Sequence, residues 1–501
     1  MIQKWSTPVA ADCVQHEMAD VFTAGQRNHH ISNTAYPIAH GTTWRPYRVK
    51  QSEHESRMVE AFEHLTHFSL YSHIPFCETR CYFCEYTVVG KSELDQTNEY
   101  MTALNRELSL YGHLFGRRTL IGFDIGGGTP SFVDAGLIDQ HINQVNQHFT
   151  LTSDCNISIE TTPKIASREP NKIHAYRQSG IKRISMGIQV TQPDLLKALG
   201  REGNGLQHIQ VATDHIRQAG FDDFNIDLMY GFADQSMASW ESTLAYAIKL
   251  NPEHITLYRM RYKLTRISHQ ASQVELARVM EQAKMAKTML AAAGYHANPG
   301  KNTYTRLQGQ TGTSSYLTSR VIQGSAYLGI GLGSQSFSDT TISYNAGAAG
   351  KNLSPYLKAI HHNELPIQDC YQLPQTHMMA KMVAVSLYFG EINLQYFQHK
   401  FGVSLEQAYG PAIAYALEHE LMQYTNSDNG NIYQHSTITA FGAHNPRSLS
   451  LTVKGAQHFA GTIALFFAPS VQTFLLQRDP KLAEDMHKNK IMAEKVFARS
   501  Q

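Results

Sequence analysis

Three cysteines stand in one short loop, "HIPFCETRCYFCEY", at Cys77, Cys81 and Cys84. Their spacing is C-x3-C-x2-C, and no fourth cysteine follows nearby. A closed structural zinc site takes four ligands, so the loop is one short. Three thiolates can instead hold three irons of a cubane 4Fe–4S cluster and leave the fourth iron open to a small molecule. Spacing alone leaves a zinc site, or three structural cysteines, in contention. Other polar landmarks fall at the ends of strand-like runs. Gly126, Gly127, Gly128 and Thr129 follow "GFDI", Glu160 closes "NISIE", Gln189 closes "RISMGIQ", and Asp227 sits in "FNIDLMYG". Glycines let backbone approach a ligand closely and can offer N–H groups to a carboxylate. A carboxylate such as Glu160 can accept from a ribose diol or an ammonium. Asp227, among apolar neighbours, needs a ligand or an ion-pair partner to offset its burial. Arg201, twelve residues beyond Gln189, can grip a carboxylate in a fork. Tyr71 and Phe83 flank the cysteine loop and can pack against a ring system.

These groups need a scaffold that gathers strand ends. Six short apolar runs, "FSLYSHI", "GFDIGGG", "NISIET", "RISMGIQ", "DFNIDLMYG" and "HITLYRM", alternate with helical stretches such as "DQTNEYMTALNRELSLYGHL" and "LQHIQVATDHIRQAG". Such alternation predicts βαβ units and a parallel sheet. Six units make an incomplete (β/α) barrel, with its chemistry at the C-terminal strand ends. The expected fold class is α/β. A partial (β/α)6 barrel spans 66–345, an N-terminal strap 1–65, a helical, winged-helix-like C-terminal domain 346–457, and an apolar-then-basic tail 458–501. "GNIYQHS" and "SLSLTVKG" read as the β-wing.

Composition narrows the function classes. Net charge is +1, which gives no general attraction to nucleic acid. The 26 histidines are scattered rather than gathered in a metal-storage tract. Cys13, Cys155 and Cys370 carry no motif and are expected as small buried hydrophobes. The cysteine pattern suits cytosolic metal chemistry better than a disulfide framework. "MIQKWSTPVAADCVQHEMAD" does not read as a signal peptide, and no run approaches the ~20 apolar residues of a spanning helix. The expected location is cytoplasmic.

"YSHIPFCETRCYFCEY" resembles the Y-x-H-I-P-F-C-x3-C-x-F-C signature of radical SAM enzymes, specifically the oxygen-independent coproporphyrinogen III dehydrogenase-like (HemN-like) family. The resemblance continues in order through "IGGGTPS", "SIETTP", "RISMGIQ", "NIDLMYG" and "LGIGLGSQSFS", over residues 30 to 460 or so. It implies one 4Fe–4S cluster on Cys77, Cys81 and Cys84 and two molecules of S-adenosylmethionine (SAM). Tyr71, Gly127 and Glu160 match positions around the cluster-bound SAM. Gln335 stands where the family has an apolar residue near it. Phe83, Gly128, Thr129, Gln189, Arg201 and Asp227 match positions around a second SAM. The implied chemistry is reductive cleavage of SAM to a 5′-deoxyadenosyl radical, with the three cysteines and Tyr71 at the catalytic centre. Reduced flavodoxin or ferredoxin is the implied electron donor, and a small aromatic molecule or a tetrapyrrole the implied substrate.

The chain departs from the coproporphyrinogen enzymes in three places. Glu85 and Tyr86 follow the cysteine loop where those enzymes have a further cysteine. Their Arg-Tyr-x-x-Tyr-Pro strap is reduced to "SNTAYP", which keeps Tyr36 and Pro37 and lacks the arginine. Their M-D-H-F-A segment is replaced by "NPGKNTYTR". Substrate propionates need cationic partners, so these losses favour the related class C radical SAM methyltransferases, in which the second SAM donates one carbon to an sp2 carbon of an aromatic ring. The apolar "HFAGTIALFFAPSVQTFLL" is followed by Lys481, Lys488, Lys490, Lys495 and Arg499. Such a pair can rest on an anionic bilayer, which favours menaquinone as acceptor and peripheral contact with the inner face of the membrane. The alternatives are oxidative decarboxylation of coproporphyrinogen III in porphyrin biosynthesis and a haem-binding chaperone that keeps the cluster.

Overall fold

The computed structural model describes residues 5–29, 31–32, 36–262, 265–426 and 447–478, and turns each of the six apolar runs into a strand. The strands are β1 (His67–Ile74), β2 (Arg118–Gly127), β3 (Phe149–Leu151), β4 (Ile157–Thr161), β5 (Ile181–Gln189), β6 (Asp223–Tyr230) and β7 (His254–Arg259). They run parallel in the order β1-β2-β4-β5-β6-β7, with the short β3 beside the start of β2. Their apolar residues are close to continuous because both faces are covered. Phe123, Ile159, Ile184 and Ile226 are fully or almost fully buried between the barrel interior and the helices outside. The helices start where side chains can take up free N–H groups. Asp134 accepts from Gly136 at the helix Ala135–His148, and Thr162 accepts from Ile165 at Pro163–Arg168. The fold class is as expected: an α/β barrel left incomplete.

The sheet continues past the six units. β8 (Thr303–Thr305) adds antiparallel to β7. On the far side, β9 (Tyr327–Ile330) lies parallel to β1, and β10 (Gln335–Phe337), β11 (Thr341–Asn345) and β12 (Ile367–Gln372) follow antiparallel. Beyond them lie the helices Gln375–Ser386, Leu394–Phe401 and Leu405–Glu418. A small sheet accompanies these helices, made of β13 (Glu391–Asn393), β14 (Met422–Thr425) and β15 (Ser448–Leu451) in the order β13-β15-β14. "GNIYQHS" lies outside the described residues.

The strap and the apolar tail share one core with this helical region. Val21 and Trp44 from the strap meet Met378, Phe397, Phe466 and Leu475 there, all fully buried. The helix Met18–Arg27 lies close against the helix Phe459–Ala464, and a Cβ on Gly25 would stand 2.6 Å from the Ala460 carbonyl oxygen. Trp44 Nε1 donates to His377 Nδ1 at 2.9 Å, which leaves His377 Nε2 to donate to Asp12 at 2.7 Å. Phe466, Phe467, Val471 and Leu475 are therefore inside the protein and not presented to lipid. Among the described residues no helix is long and apolar enough to cross a membrane. Lys481, Lys488, Lys490, Lys495 and Arg499 lie outside the described residues. Cys155 and Cys370 are buried as expected, whereas Cys13 is exposed, because the short turn that carries it buries Asp12 instead.

Candidate functional site

β1 ends at Ile74 and delivers Pro75, Phe76 and then Cys77 to the C-terminal side of the barrel. The loop is pinned from below. Phe76 is fully buried and packs edge-on against Tyr100, centroids 5.3 Å apart. His73 makes a 2.8 Å hydrogen bond to the Thr87 carbonyl, and burial pushes its imidazole down to about 4. The glycine turn after β2 is the loop's seat. Gly128 N–H donates to the Ile74 carbonyl at 2.8 Å and Thr129 N–H to the Phe76 carbonyl at 2.7 Å. Gly127, at φ +121°, donates to Glu160 Oε2 at 3.2 Å. This corrects the expectation that these N–H groups face a ligand carboxylate. They are taken up by protein oxygens; a Cβ on Gly128 would meet the backbone of the loop, and one on Gly127 the ring of His73.

Apart from Gly126, all the site residues picked from the sequence line one cavity of about 990 Å³ at the C-terminal strand ends. Cys77 Sγ is 3.3 Å from Thr129 Oγ1, and the Arg201 guanidinium donates to Cys81 Sγ at 3.2 Å and to the Gly187 carbonyl. The fork expected to grip a carboxylate is thus turned toward a thiol, and Arg201 Nε is left buried without a partner. Gln189 adopts φ +70° and its Oε1 is likewise buried and unpartnered. Phe83 packs on Phe232, centroids 6.1 Å apart, above Val190, Leu195 and Leu196. Tyr71 lies 5.7 Å from Tyr316, ring to ring, and Gln335 Oε1 accepts from Tyr327 OH. Asp227 is held by neutral donors, Ser185 Oγ at 3.0 Å and Asn225 Nδ2 at 2.8 Å, so of the two expected partners, a ligand or an ion pair, the ion pair is not formed. Among the described residues no three His, Cys, Asp or Glu side chains converge on a point that could hold a single metal ion.

Residues 71–247 match the family model described as the Radical SAM superfamily. That stretch, about a third of the chain, is similar to a radical SAM domain. It is 34% identical over 193 residues to the haem chaperone HemW of Buchnera aphidicola subsp. Schizaphis graminum, a match covering 38% of this chain and 50% of that protein. It is also 34% identical over 198 residues to the oxygen-independent coproporphyrinogen III oxidase of Synechocystis sp., covering 39% of this chain and 42% of that one. The matched stretch thus spans half or less of the length of either relative. A structure of Escherichia coli coproporphyrinogen III oxidase (HemN), titled a radical SAM enzyme, superposes with a TM-score of 0.67 at 20% identity over 87% of this chain and 96% of that one. The fold is therefore HemN-like beyond residues 71–247.

A radical SAM domain implies a 4Fe–4S cluster and SAM, and the residues present fit both. Burial pushes the Cys77 thiol up to about 12, eased by Thr129, and burial also raises Cys84. Each thiol would release its proton on ligation. The unpartnered Gln189 Oε1 and Arg201 Nε are an acceptor and a donor that a polar ligand in the cavity can complete. Sequence reasoning missed one cavity group, Arg320, and the acid Asp124 that feels its charge. The signal for Asp124 was an ionisable residue inside the apolar run "GFDIGGG".

Two acids of this region carry a pH dependence. Glu160 opens onto the cavity, and desolvation by the cavity walls together with the nearby Asp227 pushes its carboxyl from 4.5 up to about 8. Burial likewise pushes Asp124 up to about 7, partly offset by the 2.6 Å hydrogen bond from Ser314. At these two carboxyls the folded protein holds more protons than the unfolded chain between about 4 and 8, so their contribution to stability falls as pH rises through that window. In urea unfolding of the cluster-free protein, the wild-type midpoint should lose ground to that of Glu160→Gln between pH 5.5 and pH 8.5. A gap between the two midpoints that stays constant over that range would remove Glu160 as a source.

Proposed function

We propose that the chain is a radical SAM enzyme of tetrapyrrole metabolism, with oxidative decarboxylation of a coproporphyrinogen-type propionate as its reaction. The observation that carries the reading is that Tyr71, Tyr86, Tyr258, Tyr316 and Tyr327 line the same cavity as the cysteine loop. Flat aromatic walls beside the reactive centre suit a large cyclic substrate. Support also comes from the relatives, which are by name an oxidase of coproporphyrinogen III and a haem chaperone. The quinone reading leaned on a lipid-facing tail, and the apolar part of that tail is buried.

In this reading Cys77, Cys81 and Cys84 hold the cluster. Tyr71, Gly127 and Glu160 surround the SAM on it, and Gln335 lies beside them. Phe83, Gly128, Thr129, Gln189, Arg201 and Asp227 surround a second SAM. Together the bound cluster and SAM supply a 5′-deoxyadenosyl radical. Gln189 and Arg201 orient a polar ligand at their end through the atoms that lack partners, and Phe83 with Phe232 keeps water from that end. Propionate becomes vinyl by losing one hydrogen atom to deoxyadenosine, its carboxylate as carbon dioxide, and one electron to an external acceptor. Reduced flavodoxin or ferredoxin is the expected source of the electron that starts each turnover.

The test is product analysis with anaerobically reconstituted protein, a chemical reductant, coproporphyrinogen III and methyl-deuterated SAM. The expected result is carbon dioxide, vinyl-bearing porphyrinogen and unlabelled product. Deuterated methyl in the product would replace this reading with methyl transfer. Tight haem binding without SAM cleavage would replace it with a chaperone.

A further inference from the structure

The helix Ser315–Ile322 presents Arg320 to the cavity. Its guanidinium carbon lies 4.5 Å from the centroid of the Tyr327 ring, and Nη1 donates to Tyr316 OH at 3.3 Å. Arg320 Nε is buried without a partner. Among the described residues Arg320 is in no ion pair, whereas Arg261 is matched to Glu85 and Lys164 to Glu78. Arg201 is held by Cys81 and the Gly187 carbonyl, and Lys351 by the Glu85 and Tyr86 carbonyls. The acid that influences Arg320 is Asp124, which accepts from Ser314 and forms no ion pair with it. Lys381, the other charged group in range, is itself a cation and donates to the Tyr36 carbonyl at 2.6 Å.

An enclosed cation without an anion is costly, and a phenol and a ring face offset only part of the cost. The surroundings are shaped for the missing partner. Tyr316 and Tyr327 wall the lobe, Gln335 is tied to Tyr327, and His40 of the strap stacks on Tyr344 at 5.3 Å. We propose that Arg320 anchors a carboxylate on the substrate, whose attached ring packs against Tyr316 and Tyr327. The choice of a porphyrin as test ligand rests on the tetrapyrrole reading; the anchor itself asks only for an aromatic carboxylate.

The experiment uses full-length, anaerobically reconstituted protein, its Arg320→Gln and Arg320→Lys variants, and four probes. These are coproporphyrin III, its uncharged tetramethyl ester, 2-naphthoate and SAM, each titrated to a dissociation constant. Circular dichroism confirms that the variants fold. Arg320→Gln should weaken coproporphyrin III and 2-naphthoate at least ten-fold, Arg320→Lys should recover part of the loss, and neither the ester nor SAM should discriminate between variant and wild type. The proposal is overturned if Arg320→Gln binds both carboxylates as the wild type does, or weakens acid and ester alike. Parallel loss of SAM, or a wild type that binds neither carboxylate, overturns it as well. A wild type that binds 2-naphthoate through Arg320 but does not bind coproporphyrin III upholds the anchor and removes the tetrapyrrole.

Discussion

Alanine at any one of Cys77, Cys81 or Cys84 should abolish the visible iron–sulfur absorbance of anaerobically reconstituted protein, and with it all cleavage of SAM. The three thiols are the only cysteines among the described residues that line the cavity. No neighbouring group stands ready to replace one of them. Thr129 is 3.3 Å from Cys77 but offers a hydroxyl, and Arg201 offers Cys81 a cation. Thiolate ligands are what a cluster of this kind requires, so removing one removes a bond that nothing nearby can remake. The controls are built into the chain. Cys13 is exposed in the strap, and Cys155 and Cys370 are buried away from the cavity. Their alanine variants should keep iron content and absorbance. A cluster retained by Cys84→Ala and lost by Cys370→Ala would sink the ligand assignment.

The second large effect is expected one residue away from any ligand. In Gly128→Ala the new Cβ would stand 2.6 Å from the Phe76 carbonyl oxygen and 2.9 Å from the Pro75 carbonyl carbon. Both are backbone atoms, so no side chain can swing aside. Relief requires the loop to lift from its seat, which strains the hydrogen bonds from Gly128 to Ile74 and from Thr129 to Phe76. Overpacking of this sort costs on the order of 1–3 kcal/mol, less than the about 5–15 kcal/mol that holds an ordinary fold together. Cys77 is the next residue after Phe76, so the displacement falls on the ligand loop. We expect a folded protein that takes up less than half the iron of the wild type. Gly205→Ala is the matched control, since a Cβ there meets nothing within 4 Å. Full iron uptake by Gly128→Ala at wild-type stability would show that the turn does not seat the loop.

The six parallel strands could be read from the chain because strands buried on both faces leave uninterrupted apolar runs between glycines and polar turns. Glu160 and Gln189 could be read for the same reason, since each is the polar residue that closes such a run. β9 to β12 left no comparable mark. They are three to six residues long and mix apolar with polar residues, and only pairing with β1 and with one another makes them strands. Arg320 sits in "SSYLTSRVI", where a lone cation on a helix reads as a solvated face. Tyr316 and Tyr327 enclose it only once the helix is docked. The apolar tail was open to two readings because lipid and a protein core select the same residues. The helix Met18–Arg27, hundreds of positions earlier, decides between them. The donors of the glycine turn were legible as donors, but their acceptors belong to a separate loop and depend on tertiary structure.

The contact between the helix Met18–Arg27 and the helix Phe459–Ala464 has a consequence for synthesis. Gln26 Oε1 accepts from Gly461 N–H across 435 positions of chain. Ribosomes add residues in order, at about 5–20 per second, so the strap helix emerges tens of seconds before its partner exists. During that interval Val21 and Ala24, fully buried in the finished protein, have no surface to pack on. The barrel needs neither helix for its own core and can form first. The nascent chain therefore carries an unpaired apolar face on the helix Met18–Arg27 until residues near 461 arrive, and a late-made helix is what covers an early-made one.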